Sequence, residues 1–391
     1  MRSARWCRAR SATDERTASC VSPVPWLHCW RSPRRALRLL DRRIHPPSPI
    51  TRATGWSNFL PWAGAIDPTT GSVPWQAVLW NRDRSIVNLG TLGGNCSAAY
   101  SVNSRGQVVG GGLNSVPENP DFVVNLSADC QGATQVRAFR WQNGVMEDLG
   151  TLGGNDAVAE EVNERGQIVG ISYTNTLPSD VYGIPTIHPF LWQNGAMTDL
   201  GSLGGTAAFV GNFFDHATRG VNDSGEVSGT SSLLGDHAAH AFLWSKGTMI
   251  DLGTLGGKNS FAYAINNKGQ VVGRAGISET PFVRHAFLWE KGHMTDLGTV
   301  ALCTFGSAYS VNSASQIVGS LDGCTDGIET AFYVEKGKPM VDLNTLIDPP
   351  SPIHLDSPWN INERGEIFAS GSLPDGSERA VLLVPLPPSN Q

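Results

Sequence analysis

Hydrophobic residues along this chain recur in short alternating runs separated by polar turns, and the same runs return at a regular spacing. The run Ala-Phe-Leu-Trp, or a close variant of it, ends at Trp80, Trp141, Trp192, Trp244, Trp289, Val334 and Leu383. The successive intervals are 61, 51, 52, 45, 45 and 49 residues, so the smallest repeat is about 45 residues long. A fixed period of roughly 40 to 50 residues is typical of β-propellers and solenoids.

Two further motifs follow each of the first six runs. The first is Asn/Asp-Leu-Gly/Asn, which begins at Asn88, Asp148, Asp199, Asp251, Asp296 and Asp342. The second is Val/Ile-Asn-x-x-Gly-Gln/Glu, whose asparagines are Asn103, Asn163, Asn222, Asn266, Asn312 and Asn362. Asparagine followed by glycine at this spacing is typical of a tight turn between two strands.

One repeat has room for four strands. The segments 262–266, 270–275, 285–290 and 294–299 are predicted as strands A to D. Side chains alternate across a strand, so Phe287 and Trp289 share one face of strand C while Ala286 and Leu288 share the other. Both faces are apolar, and no helical pattern is present to cover either one. Packing between copies of itself would cover both faces of each sheet.

The predicted fold class is therefore an all-β protein, a β-propeller of six or seven four-stranded blades, with a β-solenoid as the alternative. Six complete A–B hairpins are present, but seven copies of strand C. The strand pair within 77–93 lacks a clear A–B hairpin, and the segment 54–75 is a candidate remnant of one. We expect the ring to close by pairing of the segment 380–386 with residues near 77–92.

Charge divides the chain into two parts. Residues 1–56 contain twelve Arg, no Lys and three acidic residues, a net charge of +9, so the remaining 335 residues carry −15 of the total of −6. The first part shows no hydrophobic periodicity and no signal-peptide core. We interpret 1–56 as a disordered basic arm or as non-native coding sequence, and 57–391 as the propeller. No stretch approaches the ~18 apolar residues that a transmembrane helix requires.

The motifs "HAFLW", "DLGTLGG" and "INNKGQVVG" resemble the extracellular repeats of the HAF family, which is named for that His-Ala-Phe. The resemblance covers roughly residues 77 to 386. It implies a bacterial, exported protein of unassigned function, and therefore carries over no functional residues. The chain has no recognisable export signal, which departs from that expectation.

Insertions are predicted to lie on a single rim of the propeller. The long links are the B–C links 111–136, 171–187 and 274–283 and the D–A link 204–216. Four cysteines fall at two equivalent pairs of positions on the same rim. We therefore predict the disulfides Cys96–Cys130 and Cys303–Cys324, and hence an oxidising compartment, outside the cell or on its surface. Four unpaired thiols in a cytosolic protein are the alternative.

Candidate site residues are few. Weak candidates for ligand contacts in the long links are Phe122, Tyr173, Tyr182, Phe213, Asp215 and His216. The last two could form an acid–base pair, although a dyad without a third group is weak evidence. His240 and His285 belong to the repeat itself, and the recurrent Asp of the Asp-Leu-Gly motif is predicted to bond to a local turn. No catalytic residue, metal site, cofactor site or nucleic-acid motif is predicted.

The function predicted from the sequence is a non-enzymatic extracellular binding propeller, a monomer whose insertion-bearing face contacts a glycan or a protein. Two alternatives stay open. One is a propeller hydrolase or lyase with an axial pocket, and the other is a purely structural repeat domain. A cluster of non-repeated ionisable groups at the axis would favour the enzyme, and a broad surface without such a cluster would favour the binding protein.

Overall fold

The computed structural model describes residues 76–81, 83–118, 126, 130, 134–211, 219–279, 282–300, 303–347 and 351–385, together with the backbone of 53–57. The predicted residues Phe122, Phe213, Asp215 and His216 and the basic segment 1–52 lie outside this part of the chain. The compact unit that contains the repeats extends from Ser48 to Gln391. The boundary predicted between residues 56 and 57 falls within the strand Ala53–Ser57.

The described residues form strands and one short 3-10 turn, and the strands fall into seven groups, which we call units 1 to 7. Unit 1 contains β1 (Ala53–Ser57), β2 (Gln76–Trp80) and β3 (Ile86–Asn88). Unit 2 contains β4 (Gly93–Val102), β5 (Val108–Pro117), β6 (Thr134–Gln142) and β7 (Val145–Asp148). Unit 3 contains β8 (Ala157–Val162), β9 (Ile168–Tyr173), β10 (Ile187–Gln193) and β11 (Ala196–Asp199). Unit 4 contains β12 (Gly204–Val210), β13 (Val227–Leu233), β14 (Ala239–Ser245) and β15 (Thr248–Asp251).

The remaining units continue the pattern. Unit 5 contains β16 (Ser260–Ile265), β17 (Val271–Glu279), β18 (Phe282–Glu290) and β19 (His293–Asp296). Unit 6 contains β20 (Phe305–Val311), β21 (Gln316–Asp322), β22 (Thr330–Glu335) and β23 (Val341–Asp342), followed by the 3-10 turn Leu343–Leu346. Unit 7 contains β24 (His354–Ile361), β25 (Ile367–Ser372) and β26 (Glu378–Leu383).

Units 2 to 6 each place strands A, B, C and D side by side in chain order, and each strand runs antiparallel to the next. In unit 5, Val271 lies opposite Trp289 and Phe287 lies opposite Asp296. A single parallel bridge between Ile187 and Ala207 joins units 3 and 4 into one eight-stranded sheet. The predicted all-β repeat of four-stranded sheets is confirmed, and the arrangement is β-propeller-like.

The hydrophobic core lies between consecutive units rather than within any one of them. The face of unit 5 that carries Val272 and Leu288 packs against the face of unit 6 that carries Ile317 and Phe332. We call the first the trailing face and the second the leading face. The same kind of contact joins the other consecutive pairs of units. Each sheet is too thin to exclude water from its own side chains, so its stability depends on its neighbours.

The asparagine of each A–B turn organises that turn. In unit 5, Asn266 Oδ1 accepts hydrogen bonds from the backbone N–H of Lys268 at 2.9 Å and of Gln270 at 3.0 Å. Gly269 adopts φ +72°, a conformation in which a Cβ atom is strained. The Asn266 amide donates to Gln270 Oε1 at 2.7 Å. The predicted turn chemistry is therefore present in full.

A glycine in strand B allows three strands to approach closely. A Cβ atom at Gly273 would lie 1.9 Å from the carbonyl oxygen of Phe261 in strand A and 2.9 Å from the Phe287 ring in strand C. The equivalent glycines Gly110, Gly170, Gly229 and Gly319 are equally close to strand A carbonyls. The Phe of the Ala-Phe-Leu-Trp run is therefore fully buried because strand B has no side chain at this position.

The recurrent Asp has the local role that was predicted for it. Asp296 accepts a hydrogen bond from the backbone N–H of Gly298 at 2.7 Å and also lies 2.9 Å from the imidazole Nδ1 of His285. The same pairing joins His188 to Asp199 and His240 to Asp251, and Arg137 replaces the histidine beside Asp148. The histidine of the repeat is therefore a structural partner of this aspartate.

Both predicted disulfides are confirmed. Cys96 and Cys130 are bonded, with their Cα atoms 5.6 Å apart, and Cys303 is bonded to Cys324. The first bridge lies among buried residues of units 2 and 3, and the second lies beside the core between units 5 and 6. In the described part of the chain, no helix is long and apolar enough to span a membrane.

Two of the predicted links differ from expectation. The segment 274–283 is not a long loop, because β17 and β18 extend into it and leave only residues 280 and 281 between them. The segment 204–210 is strand β12, so the insertion of unit 4 begins after Val210 and interrupts strand A itself. The segment 204–210 is therefore not part of a D–A link, as was predicted.

The predicted closure of the ring is not found among the described strands. Strand β26 pairs with β25, and no described strand pairs with its other edge. In unit 1, β1 pairs with β2 and occupies the place of a strand B. The segment 54–75 therefore contributes one strand of the expected hairpin to the described structure.

Candidate functional site

Every complete strand A contains an irregularity three residues before its turn asparagine. The pairing of β8 with β9 shifts register between Ala159 and Glu161, which leaves Glu160 without a partner residue on β9. The same shift occurs in β4, β16, β20 and β24. Bulged residues are re-aimed relative to the regular alternation of a strand. The residues at this position are Tyr100, Glu160, Arg219, Tyr263, Tyr309 and Trp359.

Three consecutive units place aromatic rings at this bulge. The rings of Tyr263 and Tyr309 stack with centroids 5.8 Å apart, and those of Tyr309 and Trp359 stack at 6.3 Å. The hydroxyl of Tyr309 lies 2.7 Å from that of Ser320 on the adjoining strand B, and the Trp359 indole donates to Ser370 at 3.2 Å. Burial raises the pKa of the Tyr309 hydroxyl, which therefore stays protonated.

Units 3 and 4 break this aromatic pattern with charged residues. Glu160 takes the bulge position of unit 3, Glu161 follows it, and Arg219 takes the equivalent position in unit 4. We call Glu160, Glu161 and Arg219 the central cluster, because Glu161 interacts with the charge of Arg219 and Arg219 reaches Glu363 three units further along the chain. None of the three residue types recurs at its position in the other units.

The two carboxyl groups of the central cluster differ in their contacts. Glu161 Oε2 accepts hydrogen bonds from the backbone N–H groups of Gly220 at 2.5 Å and Val221 at 3.0 Å, where the insertion of unit 4 rejoins its strand. The structure shows no hydrogen bond to Glu160 from the described residues, and its side chain is half-buried. Glu160 is therefore the carboxyl group with room for another partner.

Burial shifts the titration of both groups. Burial, together with the nearby charge of Glu161, raises the pKa of Glu160 to about 8. Burial also raises the pKa of Glu161 to about 7, opposed by the positive charge of Arg219 and by the two backbone hydrogen bonds. At neutral pH the pair therefore holds a proton that two exposed glutamates would release.

Arg219 extends from unit 4 toward unit 7. Its guanidinium Nη1 lies 3.7 Å from Glu363 Oε1, on the A–B turn of the last unit. Its backbone carbonyl accepts the N–H of Ile265 in unit 5 at 2.8 Å. A contact between units that are three apart in the chain requires the array of units to curve.

A second pair of carboxyl groups lies away from the centre. Asp156, which precedes β8, is 1 % exposed, and its Oδ1 accepts the backbone N–H of Val136 at 2.8 Å. Burial and a hydrogen bond with Glu118 raise the pKa of Asp156 to about 8. In unit 5 the equivalent acceptor is Asn259, which takes the N–H of Ala239 at 2.9 Å. A neutral side chain thus suits this position, which indicates a structural role for the Asp156–Glu118 pair.

The predicted contact residues are placed as follows. Tyr173 is 2 % exposed and packs in the core between units 2 and 3, so it cannot act as a surface anchor, and this prediction is corrected. Tyr182 is 49 % exposed on the link between β9 and β10. Among the described residues, no group of three or more His, Cys, Asp or Glu side chains could hold a metal ion. The structure does not bring Tyr173 and Tyr182 together with the central cluster.

Glu160, Glu161 and Arg219 were not among the site residues predicted from the sequence. The signal was present, because aligning the repeats on their turn asparagines shows Tyr, Tyr, Tyr and Trp three residues upstream in four units, and Glu and Arg in the other two. The insertion obscured it in unit 4, since several residues separate Arg219 from strand β12. A bulge that re-aims this residue is a property of the backbone and has no sequence signal here.

No family model matches the chain, and no curated protein is similar to it at a significant level. Solved structures that are similar to it include dipeptidyl peptidase 4 of Porphyromonas gingivalis, at 12 % identity over 79 % of this chain and 47 % of that one, with a TM-score of 0.46. A puromycin-hydrolysing peptidase of Mycobacterium tuberculosis is similar at 11 % identity over 78 % of this chain and 56 % of that one, with a TM-score of 0.36. A gluconolactonase of Xanthomonas campestris is similar at 12 % identity over 64 % and 79 %, with a TM-score of 0.28.

The chain spans about half the length of the first two of these structures. At such identities the likeness concerns the fold alone.

The prediction of a non-enzymatic binding propeller is wrong. Its enzymatic alternative required non-repeated ionisable groups in an axial pocket, and Glu160, Glu161 and Arg219 are ionisable groups that break the repeat.

Proposed function

We propose that this chain is a propeller hydrolase whose acid–base chemistry takes place at the central cluster. The observation that carries the proposal is the replacement of the aromatic bulge residue by Glu160 in unit 3 and by Arg219 in unit 4. A residue needed for packing alone would be expected to repeat, as the turn asparagine does. Ionisable groups that depart from a repeat and titrate near neutrality are candidates for chemistry.

The two glutamates support different roles in such a reaction. Glu160, with its pKa near 8, keeps its proton at neutral pH and is placed to donate it to a leaving group. Glu161, whose raised pKa is opposed by the charge of Arg219 and by two backbone hydrogen bonds, gives up its proton more readily than Glu160 and acts as the acceptor of a proton from water. The water oxygen then bonds to the electrophilic atom of the substrate as the bond to the leaving group breaks. Arg219 supplies positive charge for an anion that forms in the process.

The test is hydrolysis of fluorogenic esters, glycosides and peptides by the full chain and by Glu160→Gln. Loss of a general acid reduces kcat by about 10²- to 10⁴-fold, and we expect the variant to show a loss in this range. Glu164→Gln is the matched control, because Glu164 lies on the adjacent turn, is exposed and bonds to Ser104. Equal turnover by Glu160→Gln, or no turnover of any substrate by the folded chain, would contradict the proposal.

The same proposal includes the setting of the enzyme. We place the chain among exported HAF-type repeat proteins, in a closed seven-bladed ring, outside the cell. Two disulfides, each joining equivalent links of its unit, support an oxidising compartment. The measurement is non-reducing mass spectrometry of the protein recovered from its natural host, fractionated into cells and medium. Recovery from the cytosol with four free thiols would count against this setting.

A further inference from the structure

Units 3 and 7 have the same A–B turn. The sequence Asn-Glu-Arg-Gly occurs at 163–166 and again at 362–365. In each turn the glutamate accepts hydrogen bonds from the serine that follows the turn asparagine of the preceding unit. Glu164 accepts the backbone N–H of Ser104 at 3.1 Å and the hydroxyl of the same serine. Glu363 accepts the backbone N–H of Ser313 at 3.0 Å and its hydroxyl at 3.1 Å.

One contact distinguishes the two glutamates. Glu363 Oε1 lies 3.7 Å from the guanidinium Nη1 of Arg219, which is an ion-pair distance rather than that of a hydrogen bond. None of the ion pairs among the described residues involves Glu164. The turns are therefore alike in sequence and in their bonds to the preceding unit, and they differ in the ion pair with Arg219.

The turn that carries Glu363 is fixed by hydrogen bonds to unit 6. The side-chain amides of five turn asparagines donate to the backbone carbonyl of the next turn asparagine along the chain, at 2.9 to 3.1 Å: Asn103, Asn163, Asn222, Asn266 and Asn312. The last of these bonds ends at Asn362, the residue before Glu363. Together with the two bonds from Ser313, it holds the carboxylate in one place relative to unit 6.

The backbone of Arg219 is fixed as well. The two N–H groups that follow it, those of Gly220 and Val221, both donate to Glu161 Oε2. Its own carbonyl accepts the N–H of Ile265 in unit 5 at 2.8 Å. The guanidinium therefore extends from a backbone that adjoins Glu161, and its far end lies beside Glu363. Two carboxyl groups, on units 3 and 7, share one positive charge.

The other carboxyl groups near Glu161 are engaged differently. Glu160 keeps its proton at neutral pH, because burial and the charge of Glu161 raise its pKa to about 8. Asp223 also acts on Glu161 through its negative charge, and its carboxylate accepts the side-chain amide of Asn267 at 2.7 Å. Glu161 and Glu363 are thus the two groups between which the charge of Arg219 is divided.

We propose that Glu363 is a positioning residue for the central cluster, which holds the guanidinium of Arg219 toward unit 7 and so limits the positive charge that reaches Glu161. The catalytic part of this inference rests on the hydrolase proposal. There, Glu161 accepts a proton from water, and a carboxylate that is too strongly stabilised by a neighbouring cation is a weaker base. Glu363 therefore maintains the strength of Glu161 as a base.

The test is a titration of the full chain, labelled with ¹³C in its glutamate side chains, by NMR. The resonance of Glu161 is assigned by its loss in Glu161→Gln. In Glu363→Gln the guanidinium is released toward Glu161, and we expect the pKa of Glu161 to fall. The side chains of Arg219 and Glu363 are 43 % and 47 % exposed, so solvent screens the pair and the fall should be about 0.5 pH unit. The acidic limb of kcat/KM against pH should move down by the same amount.

Glu164→Gln is the matched control, because it removes the same bonds from the same turn sequence without touching the ion pair. It should leave the titration of Glu161 unchanged. Glu363→Asp keeps a carboxylate at the position and should restore most of the parent titration. In a chain that already carries Arg219→Gln, Glu363→Gln should cause no further change, since the charge that it directs is gone.

The inference is overturned if Glu161 titrates in Glu363→Gln as it does in the parent chain. It is also overturned if Glu164→Gln shifts the titration equally, because the structure of the turns would then be responsible. These outcomes are separate from the fate of the hydrolase proposal. A shifted titration in a chain that turns over no substrate would contradict the hydrolase alone, and turnover with an unshifted titration would contradict the positioning role alone.

Discussion

The side-chain amide of Asn266 donates a hydrogen bond to the backbone carbonyl of Asn312, 2.9 Å away in the next unit. The oxygen of the same side chain accepts two backbone N–H groups of its own turn. One residue therefore shapes the A–B hairpin and ties it to its neighbour. Because five turn asparagines make this contact in succession, the turns form a continuous chain of hydrogen bonds from unit 2 to unit 7.

Replacing Asn266 by Ala should lower the free energy of unfolding by about 2–3 kcal/mol, since it takes the acceptor from the turn N–H groups of Lys268 and Gln270 and removes the bond to the carbonyl of Asn312. Urea unfolding followed by tryptophan fluorescence measures the change. Lys268→Ala, at an exposed position of the same turn, should change the free energy by less than about 0.5 kcal/mol. Equal effects of the two substitutions would show that the link between units contributes nothing to stability.

Replacing Gly273 by Ala should destabilise the chain by about 3 kcal/mol or prevent its folding, because the new Cβ atom would meet the Phe261 carbonyl at 1.9 Å and the Phe287 ring at 2.9 Å. Gly276→Ala on the same strand is the control, since its Cβ atom would have no neighbour closer than 3.4 Å. Thermal unfolding distinguishes the two. A Gly273→Ala protein as stable as Gly276→Ala would rule out close approach as the reason for the glycine.

Removing the Cys303–Cys324 bridge by replacing both residues with Ser should cost about 3 kcal/mol, because the bridge closes a loop with a sequence separation of 21 and restricts the unfolded chain. The difference in melting temperature between parent and variant should disappear in the presence of a reductant that opens both native bridges. If alkylation under non-reducing conditions finds free thiols at Cys303 and Cys324, the expectation fails.

Stability should depend on pH through Asp156. The folded chain holds this proton with a pKa near 8, whereas the unfolded chain has the ordinary value of 3.8, so folding takes up a proton between these values. The free energy of unfolding therefore falls as pH rises across this window, by up to about 1.4 kcal/mol per pH unit for one proton. Asp156→Asn, which imitates Asn259 of unit 5, should lower the slope between pH 5 and 7 by the share of one proton, while Glu160 and Glu161 continue to contribute to it.

Asp180→Asn is the control for that profile. Asp180 is exposed on the link between β9 and β10, and its replacement should leave the slope of stability against pH unchanged. Urea unfolding at a series of pH values gives both slopes. A parent-like slope for Asp156→Asn would mean that another group carries the pH dependence.

The local sequence was sufficient to predict the strands and turns of this protein and their order along the chain. The Asn-x-x-Gly turns, the alternating apolar runs and the two cysteine pairs depend on contacts between residues that are close in the chain or equivalent between repeats. Strand C of unit 5, predicted as 285–290, is observed as Phe282–Glu290. Because both faces of this strand are apolar, other residues must pack on both of them, and the neighbouring units 4 and 6 do so.

The contacts between distant units needed the tertiary structure. Arg219 lies near Glu363 because the array of units curves. Phe368 is exposed because no described unit packs against its face of unit 7. The bulge that sets Glu160 apart arises from the pairing of two strands. The repeat determines what the units have in common. Glu160 and Arg219 differ from their counterparts in the other units, and their contacts depend on how the units pack in three dimensions.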